Sequence, residues 1–198
     1  MYFALRSHVL LLVLLACAPL FGQPLNGTYT IGTAGNYPTF TAAVTALTTN
    51  GISGPVTFNV FSGTYAEQVV IGPVTGTSAV NTITFQSLAL DSTAVTLVHP
   101  SQPGNVNDFA LRLNGVDHIT VRKITVQRSG ALTYGTVIDV MGTSTDWNVR
   151  NCRLLPSTST AAYNYGVSVF TSTNLGVSSV RDCRVNNGSG LGVGIVSG

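Results

Sequence analysis

Glu67 is the only glutamate and Lys123 the only lysine, and charged residues of every kind make up 8% of the 198 residues. Exposed helices carry far more Glu and Lys than this, so a helical bundle is excluded. Net charge is +2, which by itself points to neither nucleic acid nor an anionic membrane as a partner. Long apolar runs are missing too. The longest, Val9 to Leu15, is too short for a membrane span of about 20 residues, and no second candidate follows. None of the six aspartates adjoins another, whereas a hard cation wants several converging oxygens. His8, His99 and His118 have no metal-ligand spacing with Cys152 or Cys183, so neither a metal nor another cofactor is expected. There is no Gly-x-Ser-x-Gly elbow for a nucleophilic serine. The glycine-rich tail NNGSGLGVGIVSG lacks the Lys-Ser/Thr of a phosphate loop and reads as turns plus a strand.

What is present is 44% hydrophobic residues, 21 glycines and abundant Thr, Ser, Val and Asn, a composition of strands and turns. Arg6 and His8, the apolar run and the polar change at Gln23 read as a secretory signal peptide over residues 1–22. The mature chain is then expected outside the cell, secreted or on its surface. LLAC at Leu14 to Cys17 offers a second reading, a lipobox that would leave a lipid anchor on Cys17, although Leu15 is not the usual small residue. Residues 23–80 read as an N-terminal cap and first coil. They contain one helix at about 39–49, with Phe40, Ala43, Val44 and Leu47 on one face, Thr39 as N-cap and Gly51 as stop.

From residue 81 to 198 the chain repeats. VRKITV at Val121, VRNCRL at Val149 and VRDCRV at Val180 align without gaps, at spacings of 28 and 31 residues. A second set, LRL at Leu111, IDV at Ile138, VSV at Val167 and VGI at Val193, advances in step at 27, 29 and 26. Units this small cannot bury their own apolar faces. They must stack, each strand pairing in parallel with its equivalent one turn away at about 4.8 Å. The fold class is therefore all-β, a solenoid of parallel strands with a short capping helix. Asn151 and Asp182 sit where the alternation breaks, at a tight corner that needs left-handed backbone; Lys123 fits that corner less well. Ile124, Cys152 and Cys183 are equivalent interior positions, which leaves a stack of thiols, a disulfide or, least favoured, a metal as readings of the cysteine pair.

These repeats resemble the right-handed parallel β-helix proteins of the pectin-lyase-like group. GNYPTFTAAVTAL from Gly35 and VTFNVFSGTYAEQVVI from Val56 are similar to the cap and first coil of pectin methylesterases, with GTYAE matching their Gly-x-Tyr-x-Glu element. The resemblance implies a polysaccharide-directed fold. It does not carry catalytic residues across, because the Gln-Asp and Asp-Phe-x-Phe-Gly elements are absent; neither Gln102 nor Gln127 precedes an aspartate. The exported, Thr/Asn/Gly-rich style also resembles large surface proteins of Bacteroidetes-type bacteria.

In such a fold the strands of the LRL set and their preceding loops form the polysaccharide groove. Arg112, Asp139, Ser168 and Gly194 point outward there, and Tyr134, Tyr163 and Tyr165 are expected in the preceding loops, suited to stacking on sugar rings or to packing over a coil. Arg112 and Asp139 read as a surface ion pair. Arg122, Arg150 and Arg181 align as a basic row, which either blunts aggregation or invites an acidic partner such as a uronic-acid polymer. GVGIVSG reads as a strand in mid-repeat, so the chain is expected to be the N-terminal piece of a longer solenoid. The functional expectation is a noncatalytic β-helix module in adhesion or glycan binding. Its alternative is the N-terminal part of a polysaccharide lyase or pectinesterase-like enzyme.

Overall fold

A computed structural model describes residues 22–100, 108–130, 134–157, 163–170, 176–185 and 193–196. The signal-peptide and lipobox readings lie outside them. The protein is a right-handed parallel β-helix closed at one end by a short helix.

Sixteen strands are described. Strands β1 (Leu25–Ile31), β2 (Ile52–Val60), β5 (Ile83–Ser87), β8 (Ile119–Arg122), β11 (Asn148–Arg150) and β14 (Ser179–Arg181) form one parallel sheet in that order, here called sheet A. Sheet B orders β3 (Gly63–Ala66), β6 (Val95–Pro100), β9 (Thr125–Ser129), β12 (Arg153–Leu155) and β15 (Arg184–Val185). Sheet C orders β4 (Val69–Ile71), β7 (Phe109–Asn114), β10 (Tyr134–Met141), β13 (Tyr163–Phe170) and β16 (Val193–Val196). Each circuit of the chain contributes one strand to each sheet, which is why every neighbour is about one repeat away in sequence.

The repeats fall into register as their spacing requires. Leu111 pairs with Ile138, Ile138 with Val167 and Val167 with Val193. In sheet A, Phe58, Phe85, Val121, Val149 and Val180 stand one above another. The Phe58 and Phe85 rings stack at 4.7 Å, a contact worth about 0.5–1.5 kcal/mol beyond the area it buries. Such columns, running along the axis, are the core.

Each VRxxxx repeat spans the corner between sheets A and B. The corner residues Lys123, Asn151 and Asp182 have φ of 54°, 51° and 53°, the left-handed conformation that lets the chain turn within one residue. At the start of the solenoid, α1 (Phe40–Asn50) lies over the first coil. Its N-cap Thr39 accepts from the Ala42 N–H at 3.0 Å, and Gly51 at φ 67° ends it. Phe40 meets Tyr65 edge-on at 5.2 Å and stacks on Phe85 at 6.1 Å, so the helix covers the open end of the core. Among the described residues no helix is long and apolar enough to cross a membrane.

Candidate functional site

Side chains alternate along a strand, so in sheet C the residues between the core positions point away from the solenoid. Register places Val70, Arg112, Asp139, Ser168 and Gly194 in one such row. The middle three make a connected set. Arg112 Nε donates to Asp139 Oδ2 at 2.8 Å, and Ser168 Oγ donates to Asp139 Oδ1 at 2.9 Å, with Thr136 Oγ1 at 3.1 Å. The Arg112 guanidinium lies 3.8 Å over the Phe109 ring, which fixes its plane.

This is not the surface ion pair that the sequence suggests. Asp139 is 6% exposed and Ser168 1%, while the Arg112 side chain keeps 17%. Pairing offsets the desolvation of the carboxylate, and both its oxygens are engaged, which makes the set rigid. A groove of about 300 Å3 between α1 and β4, lined by Thr41, Val44, Thr48, Gln68 and Val70 among others, opens beside Val70 at one end of this row.

Tyr134 opens β10, and Tyr163 and Tyr165 lie in β13; Tyr134 pairs with Tyr163 and Thr136 with Tyr165 in the backbone ladder. Their side chains lie outside the described residues. The glycine that follows Tyr134 has a packing reason. Gly135 has φ 148°, and a Cβ there would come within 2.3 Å of the Arg128 guanidinium carbon.

Arg128 belongs to a constellation that the sequence did not single out. Arg128 NH2 donates to Asp108 Oδ2 at 2.7 Å, and neither side chain is exposed. His99 pairs with Arg128 between β6 and β9. Burial, reinforced by Arg128 and opposed by Asp108, holds the His99 pKa below its ordinary value. The one sequence signal was Arg128 itself, an arginine in a strand where the apolar pattern calls for an interior residue.

The remaining candidates are structural. Asp117 accepts from the Thr145 N–H and hydroxyl at 2.8 and 2.9 Å, and His118 Nδ1 faces Asp146 at 3.7 Å. Glu67 of the GTYAE element caps α1, accepting from the N–H groups of Phe40 and Thr41 and from the Thr41 hydroxyl at 3.0, 2.8 and 2.6 Å. Cys152 and Cys183 are free thiols on successive coils below Ile124. They donate to Val121 O and Val149 O at 3.6 and 3.5 Å. Cys152 is buried but Cys183 only half-buried, so the thiol column is less enclosed than the sequence implies. No group of three or more His, Cys, Asp or Glu that could hold a metal occurs among the described residues.

No protein-family model and no curated protein matches the chain. Among solved structures, the pectin methylesterase from Aspergillus niger in deglycosylated form is similar, at 17% identity and a TM-score of 0.55 over 88% of this chain. This chain spans 59% of that one. The same enzyme in penultimately deglycosylated form aligns at 13% identity and a TM-score of 0.37 over 86% of each chain, too weakly to carry an argument. The likeness shows the fold.

Proposed function

We propose that the outer face of sheet C binds a polysaccharide, and that the chain is an exported β-helix module that recognises a glycan rather than cleaving it. The observation that carries this reading is Arg112, partly exposed on the outer face and held in place by Phe109 and by Asp139, which Ser168 fixes from the next coil. Rigid side chains on strands hold a ligand at little ordering cost, as recognition of a repeating polymer requires. Tyr134, Tyr163 and Tyr165, at or near the strand starts, supply aromatic surface for sugar rings in this reading. Adhesion to a glycan-bearing surface is its natural use.

The absence of cleavage is inferred from the acids. Glycoside hydrolysis ordinarily takes two carboxylates about 5–10 Å apart. The chain has seven acidic residues, and Asp139 is the one in the outward row of sheet C. It is already held by Arg112 and Ser168.

A second reading, a pectinesterase-like or lyase-like active site, is favoured by the guanidinium–carboxylate pair itself and by the fold shared with a pectin methylesterase. It requires a second carboxylate brought beside Asp139, which the outward row of sheet C does not itself supply.

Calorimetric titration with neutral and esterified pectins, xylans and glucans, alongside an assay for methanol release and for chain cleavage, separates the two. Binding without turnover, abolished in Tyr134→Ala/Tyr163→Ala, is expected. Turnover by the purified chain would replace the first reading with the second.

A further inference from the structure

Nine Lys and Arg residues occur in the sequence. Arg6 lies in the leader segment, and Arg112 and Arg128 are held by Asp139 and Asp108. The other six, Arg122, Lys123, Arg150, Arg153, Arg181 and Arg184, all stand at one edge of the solenoid, the corner between sheets A and B. Each of three successive coils contributes two. Arg122, Arg150 and Arg181 are in register, as are Arg153 and Arg184. Arg122, Arg150, Arg181 and Arg184 are exposed, and Lys123 and Arg153 are half-buried. None of the six is in an ion pair among the described residues.

The acids do not neutralise this edge. All seven lie among the described residues, and four are elsewhere: Glu67 at the N-terminus of α1, Asp139 and Asp108 in the two buried pairs, and Asp117 at its coil turn. Asp182 and Asp91 are beside it, and Asp146 lines a groove with Arg150 but is held by the Val177 N–H and faces His118. Asp91 lies close enough to Arg153 and Lys123 to feel them, and its pKa is lowered mainly by its hydrogen bonds to Thr93.

Stacking like charges at about 4.8 Å is unfavourable, so the arrangement calls for a reason. Guarding an open sheet edge is not one, since β8 and β11 lie inside sheet A with strands on both sides. Beside the arginine row runs a neutral one. Thr57, Thr84, Thr120, Asn148 and Ser179 are in register on the same outward face of sheet A. Gln86 continues the arginine row onto the preceding coil, in register with Arg122 and Asn59. It donates to Asn59 at 2.7 Å and accepts from Arg122 Nε at 2.6 Å, which holds that guanidinium in place.

We infer that this edge is a second binding site, for a linear acidic polysaccharide running along the solenoid axis. Its carboxylate or sulfate groups meet the arginines, and its hydroxyls meet the Thr/Asn/Ser row. The strand step is close to the length of one sugar unit in an extended chain, so a polymer with a charge on each repeat stays in phase over three coils. Guanidinium groups suit such planar or tetrahedral oxyanions. Single-stranded nucleic acid is the lesser fit, because its binders offer aromatic platforms for bases, and every outward residue of these two rows is non-aromatic.

The test uses the mature chain with polygalacturonate, heparin, dextran and oligo-dT as probes, by affinity electrophoresis and calorimetry. Polygalacturonate, heparin or both bind, the pattern identifying carboxylate or sulfate as the preferred charge, while dextran does not. Affinity falls roughly tenfold or more between low and high salt, as multiple ion contacts require. Arg150→Gln weakens binding about tenfold, and Arg122→Gln/Arg150→Gln/Arg181→Gln abolishes it. The melting temperature of Arg150→Gln is unchanged or higher, because removing the middle charge relieves repulsion; a loss of binding through unfolding would lower it. Wild-type binding by the triple variant, failure of both acidic polysaccharides, or equally tight binding of oligo-dT would overturn the inference.

Discussion

Arg128 and Asp108 bury opposite charges completely, and such a pair is costly to halve. Arg128→Met should destabilise the protein by about 3–5 kcal/mol, because it leaves the Asp108 carboxylate uncompensated in the interior. Arg128→Met/Asp108→Leu should recover most of that loss, and urea denaturation of the three proteins would check it. His99, beside them, adds a pH dependence. Its folded pKa is depressed, so the unfolded chain takes up the proton first. Stability is full above the unfolded value of about 6.5 and falls as pH drops below it. His99→Phe should flatten the decline in melting temperature from pH 7 to pH 5; an unchanged slope would mean that another group is responsible. At this scale the sequence was least informative. Arg112 and Asp139 were recognisable as partners because they are one repeat apart, but their burial was not, since it depends on what Phe109 and Ser168 add. Arg128 lies in β9 of sheet B and Asp108 just before β7 of sheet C, and no periodicity joins them.

The elements were easier to read, because their causes are local and repeated. The stripe of Phe40, Ala43, Val44 and Leu47 with its Thr39 cap marks α1, and fixed spacing set the register of the later strands before any coordinates were needed. What the local pattern hid was the second cap. Glu67 lies 27 residues from Phe40 and closes the helix N-terminus with a carboxylate, where the helix dipole favours negative charge. Glu67→Gln should cost about 1 kcal/mol and Glu67→Ala about 2 kcal/mol, read as shifts in the urea midpoint. A corner offers the opposite change. Leu90 sits at φ 54° in the turn between β5 and β6 and is half-exposed, so it carries the left-handed strain without compensating burial. Leu90→Asn should stabilise the protein by about 1 kcal/mol. A lower melting temperature would show that Leu90 packs usefully after all.

Across the described coils, equivalent core positions differ in burial. At the first coil, α1 and its Phe40 contacts cover the core; along the corner column, Ile124 and Cys152 are each 1% exposed, while Cys183 and Val180 of the next coil are only half-buried. Solenoid stability is close to a sum of nearest-neighbour contacts, so thiols on adjacent coils are distinguished by what packs around each. The thiols report on this directly. The neighbouring Cys152 thiol lowers the Cys183 pKa to about 7, while that neighbour and burial push Cys152 up. At neutral pH Cys183 is therefore partly thiolate and Cys152 wholly thiol, and only the thiolate reacts with iodoacetamide. Under native conditions Cys183 should alkylate first, with a rate that rises through about pH 7, and Cys152 should stay protected until the chain unfolds. Cys152→Ala removes the neighbouring thiol, so the Cys183 rate at pH 7 should fall and its midpoint move toward that of an ordinary thiol. Equal labelling of both cysteines in the folded protein would contradict the difference in burial, and a Cys183 midpoint unmoved by Cys152→Ala would show that the two thiols do not influence each other.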